Sequence, residues 1–137
     1  TWNLTGTGTV WDTSTSTNLT VTAGGTIKIT DTSVSANTFA GGSKTYGNLW
    51  FARGTSTGNN IITGSNNFAD IKDDGTVAHS FLLTAGTTTG FTSWTVDGTS
   101  GQLITLDSTT VATHTLKNNG STPVIAYYLN IKNSIAT

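Results

Sequence analysis

The 137-residue chain has no cysteine, no methionine, no glutamate and a single proline. Without cysteine there is neither a disulfide framework nor a thiolate metal site. Without glutamate, all seven acidic side chains are Asp, and the six Lys and Arg leave a net charge of −1. That balance offers no basic patch for nucleic acid or an anionic membrane surface. No apolar run approaches the ~20 residues that a spanning helix needs. The helix formers Glu, Met and Gln are nearly missing, and no segment holds a 3.6-residue apolar period for three turns.

What is abundant is threonine, with Gly, Ser and Asn behind it. Such composition also marks linkers and glycosylated stalks. Four Trp, five Phe and three Tyr placed among Ile, Leu and Val argue instead for ordered strands, with Gly, Asn and Asp supplying the turns. The chain is one domain's length and reads as all-β. It begins at Thr1 rather than Met, so excision or processing from a longer product is expected.

Compared with itself at a shift of 22, the sequence falls into columns. Phe39, Ile61, Leu83, Leu106 and Tyr128 form one, and Leu49, Ile71, Trp94 and Leu116 form a second. Tyr46, Phe68 and Phe91 form a third, and Gly42, Gly64 and Gly86 a fourth. Gly54, Gly75, Gly98 and Gly120 form a fifth, read as a stacked turn with glycine at positive φ. One extra residue between Gly86 and Phe91 explains the 23-residue steps, and independent coincidences would not share one insertion. A period near 22 with two short strands per unit predicts a parallel β-solenoid, each column an internal ladder about 4.8 Å per step. The alternative is an antiparallel β-sandwich or jelly roll, which has no reason to keep such a period. Residues 1–37 read as an atypical N-terminal rung or cap, with Trp2 and Trp11 over the end of the stack, and residues 38–137 as coils. The segment "VIAYYLNIKNSIAT" reads as an ordinary rung with an open edge, to be met by further chain or a partner.

The stretches Gly101–Ser108 ("GQLITLDS") and Val124–Ser134 ("VIAYYLNIKNS") resemble the β-helical repeat regions of bacteriophage virion surface proteins. Tail fibres, tailspikes and decoration-like proteins are of this kind, as are secreted bacterial β-helix proteins. The resemblance implies a right-handed parallel β-helix, a location on a virion or outside the cell, and a mechanical role as rod, decoration or fibre segment. It implies further copies of the chain or other virion and surface proteins as partners, and no cofactor. Its alternatives are a carbohydrate-binding adhesin or receptor-binding module, and behind that a polysaccharide-degrading β-helix.

Candidate chemistry is thin. Asp74 and Asp97, one rung apart, have the spacing of a carboxylate pair or part of a Ca²⁺ site, but Asp before Gly is ordinary turn chemistry. Asp70, Lys72, Asp73 and Asp74 crowd together in "FADIKDDG", where alternation puts Asp70 and Lys72 on one face, opposite Ile71, as solvated strand positions. His79 and His114 share no column, and no metal site is expected; His114 reads as a surface strand residue. Trp50 and Tyr127 point away from their apolar neighbours and are the candidate surface contacts for a glycan. No catalytic residues are assigned, and a non-enzymatic protein is expected.

Overall fold

Period-two alternation of Thr, Asn and Lys with Ile, Leu and Phe makes strands with one buried face. The structure, a computed structural model, describes residues 1–21 and 24–137. It contains β1 (Trp2–Leu4), β2 (Gly8–Asp12), β3 (Thr26–Ile29), β4 (Asn37–Ala40), β5 (Thr45–Phe51), β6 (Asn60–Thr63) and β7 (Asn67–Asp73). These are followed by β8 (His79–Leu83), β9 (Thr88–Val96), β10 (Ile104–Ser108), β11 (His114–Asn118), β12 (Leu129–Ile131) and β13 (Ser134–Ala136).

Odd-numbered strands form one sheet in the order β1-β3-β5-β7-β9-β11-β13, and even-numbered strands form the other. Every strand pairing is parallel. The result is a β-solenoid of about six turns with about 23 residues per turn, and the antiparallel sandwich is excluded. Residues 1–37 supply β1 to β3 and start both sheets, with Trp2 and Trp11 paired at 5.2 Å between ring centroids.

Several ladders stand as read from the sequence. Tyr46, Phe68 and Phe91 share a row, as do Ile27, Leu49, Ile71 and Trp94. Their inward side chains join Phe39, Phe51, Phe81 and Leu83 in one apolar core. Gly42, Gly64 and Gly86 form the true positive-φ turn ladder, at 61°, 88° and 74°.

Other rows differ. Phe39 pairs with Ile62, not Ile61, and Ile61 faces outward; one residue of slip exchanges the faces. Leu106 lies beside Phe81 rather than Leu83, a 25-residue step, and Ile131 follows it instead of Tyr128. The added residues are taken up by a tight turn closed by the Thr99–Gln102 bridge, with Gly101 at φ 78°. Tyr128 sits at φ 54° in the corner before β12, half exposed. Leu116 pairs with Thr89, not Trp94: the 25-residue step already set at β10 is lengthened further by the loop between β10 and β11, which carries Val111, 98% exposed.

The stacked Asp-Gly turn is also corrected. Gly54 takes φ 57°, but Gly75, Gly98 and Gly120 do not have positive φ. Close approach demands glycine there: a Cβ at Gly98 would press on the carbonyl oxygens of Tyr128 and Gln102, and one at Gly120 on that of Thr92. Asn119–Gly120 lies opposite the start of the Thr92 segment, so it is not in the Asp97–Gly98 row.

Candidate functional site

The outer face of the odd-numbered sheet carries Trp50, between its row partners Lys28 on β3 and Lys72 on β7. Their Nζ atoms stand 3.8 and 4.3 Å from the Trp50 ring centroid. Each contact is worth on the order of 0.5–1 kcal/mol at an exposed site. The indole N–H donates to Asp74 Oδ2 at 3.0 Å. The π-face of Trp50 is therefore engaged by lysines and its polar edge by a carboxylate. Tyr127 is 60% exposed, three coils further on, and its backbone N–H donates to Asp97 Oδ1 at 2.8 Å. Trp50 and Tyr127 are not brought together.

Asp74 and Asp97 follow the paired residues Asp73 and Val96, so they do occupy one row. Their carboxylates turn to different partners, the Trp50 indole and the Tyr127 amide. Among the described residues, no group of three or more His, Cys, Asp or Glu is placed to hold a metal ion.

The concentration of charge lies instead at an inner corner. Arg53, just after β5, is only 2% exposed. Its Nε donates to Asp31 O at 2.9 Å and its Nη2 to the carbonyls of Ser33 (2.9 Å) and Ser35 (2.6 Å). Its Nη1 donates to Gly58 O at 3.0 Å and Asn60 Oδ1 at 2.9 Å. The planar guanidinium thus ties the corner of one coil, residues 31–35, to the corner of the next, residues 53–60. A 3.5 Å ion pair with Asp31 Oδ2 supplies a counter-charge. Burial works against ionised Asp31, but the Ser33 hydroxyl and amide and the Arg53 charge hold its carboxyl below the usual range.

The network continues through Asn60, whose Nδ2 donates to Asp73 Oδ2 at 2.7 Å, to His79, whose Nε2 lies 2.8 Å from the same oxygen. His79 Nδ1–H donates to Val77 O at 2.8 Å. Both ring nitrogens therefore face acceptors, and the doubly protonated ring satisfies both. Burial disfavours the charge on His79, but the Asp73 hydrogen bond and charge, with the Val77 carbonyl, outweigh it and raise its pKa above 6.5. Sequence reasoning missed this cluster: it placed Asp70 and Lys72 on a solvated face opposite Ile71 and gave Asp73 no partner. The available signal was position: Asp73 follows Ile71 by two residues and pairs with inward Phe51.

His114 is likewise inward, 1% exposed, which overturns its reading as a surface residue. Ser108 Oγ lies 2.7 Å from its Nδ1 and Ser134 Oγ 2.8 Å from its Nε2. Ser134 Oγ donates to Lys132 O at 2.9 Å, so it accepts the Nε2–H, and the Ser108 hydroxyl donates to Nδ1. The neutral ring is fully paired, and burial, opposed by Asp107, lowers its pKa below 6.5. A serine–histidine contact of this length suits nucleophile activation, yet the ring's second nitrogen meets a hydroxyl instead of an orienting carboxylate. Ser108 is itself buried. The arrangement links three strands.

Comparison with models of known families, with characterised proteins and with solved structures gives no match.

Proposed function

We propose that the chain is a non-enzymatic structural module of a virion or secreted surface protein, acting as a rigid rod, decoration or fibre segment. The observation that carries this reading is the use made of the buried polar side chains: Arg53, Asn60, Asp73 and His79 form one hydrogen-bonded network across successive coils, and His114 separately joins Ser108 to Ser134. Networks of this kind resist shear between rungs, because displacing one coil leaves buried donors without acceptors. The mechanical reading makes two demands. The chain should cleave no member of a polysaccharide panel, and an antibody against it should decorate particles or cell surfaces from its source. Cleavage of any glycan, or confinement of the antigen to the cell interior, would overturn it.

A second reading, a carbohydrate-binding adhesin or receptor-binding module, is favoured by one specific observation. Tyr127 and Tyr128 are adjacent and 60% and 52% exposed at one corner of the solenoid. Exposed rings are the usual platform for sugars. Glycan-array binding that Tyr127→Ala abolishes would establish this reading, and an array without signal would exclude it. Trp50 is a weaker candidate, since a sugar must first displace Lys28 or Lys72 from its ring.

A further inference from the structure

The chain has no cysteine or methionine to oxidise, and it contains one Asn–Gly dipeptide, Asn119–Gly120. In such a pair no Cβ screens the glycine nitrogen from the asparagine side chain. The reaction open to it exchanges one amide for another. The Gly120 nitrogen loses its proton and bonds to Asn119 Cγ, the Cγ–Nδ2 bond breaks, and ammonia leaves. Water then opens the succinimide ring to aspartate or isoaspartate, so water is consumed and ammonia released in equal amounts.

The dipeptide directly follows β11 and is held by several contacts. Gly120 N–H donates to Asn118 Oδ1 at 2.8 Å, the turn that an asparagine makes with the backbone two residues on. Asn119 N–H donates to Phe91 O at 2.7 Å. Asn119 Nδ2 donates to Asn67 Oδ1 at 3.2 Å, reaching it across Gly90, where a Cβ would press on both groups. Ring closure requires the Gly120 nitrogen to leave Asn118 and turn toward Asn119 Cγ, and the close fit of Gly120 against Thr92 O leaves little room for that rotation. The same turn recurs at Asp73-Asp74-Gly75, where Gly75 N–H donates to Asp73 Oδ1 at 2.8 Å. The remaining Asp–Gly pair, Asp97–Gly98, has Val96 in the capping place, and Gly98 N–H goes to Tyr127 O instead.

We propose that Asn119 is a latent deamidation site and that the Asn118 side chain keeps it closed. By accepting the Gly120 N–H, Asn118 Oδ1 holds the nucleophile away from Asn119 Cγ and disfavours loss of its proton. Attack then waits for local opening of this corner, and the rate falls with the population of the open form. Isoaspartate at position 119 would lengthen the main chain at a residue bonded to Phe91 of the preceding coil, so each event loosens one coil from the next. The contacts are internal to the stack and independent of what its outer faces bind.

Peptide mapping by mass spectrometry, after incubation in warm and mildly alkaline buffer, tests the proposal, with aspartate and isoaspartate at position 119 counted together. The folded chain should convert at least about tenfold more slowly than the same chain in urea. Asn118→Ala should speed conversion in the folded state about fivefold, the rate equivalent of one hydrogen bond. Asn118→Asp keeps the acceptor and gives up only the Nδ2 bond to Thr122 O, so it should stay as slow as the parent. Circular dichroism should show a native fold for both variants. A folded parent that converts as fast as the chain in urea would overturn the proposal. So would an Asn118→Ala chain no faster than the parent. An Asn118→Asp chain as fast as Asn118→Ala would overturn it too, by assigning the protection to the Thr122 bond.

Discussion

Truncating Arg53 to alanine should be among the most damaging single changes in this protein. The side chain is 2% exposed, and its guanidinium serves carbonyls on two successive corner loops, residues 31–35 and 53–60. Its removal leaves the carbonyls of Ser35 and Gly58 short of a donor, each at about 1–3 kcal/mol if it stays dry, while Ser33 O keeps the Ser56 hydroxyl. It also leaves Asp31 without its ion-pair partner. Against this, the variant no longer bears the desolvation of a buried cation, and the same burial lowers the Arg53 pKa although Asp31 and Asp73 oppose it. Breaking a buried pair by removing one partner typically costs about 3–5 kcal/mol after these terms offset. For a chain of this size that is a fall of roughly 10–20 °C in Tm. Urea titration followed by circular dichroism reads the loss directly. Arg53→Lys adds a second reading: a compact ammonium keeps the charge but cannot span both loops, so at least half the loss should persist. A loss under about 1 kcal/mol for Arg53→Ala, or a lysine variant as stable as the parent, would refute the argument that the planar fork joins the coils.

Leu106→Ala should cost about 2–5 kcal/mol, because the residue is 1% exposed between Phe81 and Ile131; a chemical-denaturation loss under about 1 kcal/mol would remove it from the core. The two histidines should contribute to stability with opposite signs. His79, with its pKa raised in the folded state, gives stability that is full below pH 6.5 and lost as pH rises through its folded pKa. His114, with its pKa lowered, gives stability present above pH 6.5 and lost as pH falls through its folded pKa. An NMR titration that finds His79 below 6.5 or His114 above it would contradict the network geometry. Gly86→Ala should cost about 1–2 kcal/mol for a side chain at φ 74° with open space around it. Gly98→Ala should cost more, since its methyl group meets backbone carbonyls, and the reverse order in thermal melts would show that φ, not contact, selects glycine in this solenoid.

The sequence by itself determined the class and the repeat. Threonine with β-branched and aromatic residues in period-two alternation specifies strands, and a 22-residue recurrence specifies stacked coils. Where the turns kept constant length the rows are legible: Tyr46–Phe68–Phe91, Ile27–Leu49–Ile71–Trp94 and the glycines 42, 64 and 86. Tertiary structure decided the rest for two physical reasons. Loops absorb extra residues at little cost in free energy, so the Thr99–Gln102 turn and the Val111 loop displace Leu106, Leu116 and Tyr128 from the rows their spacing suggests. A one-residue displacement also exchanges inside for outside, as at Ile61 and Ile62. The second reason is that polarity alone reports an outward position, whereas Arg53, Asp73, His79 and His114 are inward. A buried polar group is stable only when partners reach it. Those partners, such as Asp31 for Arg53 and Ser134 for His114, lie about one coil away in sequence and become neighbours only when the coils stack.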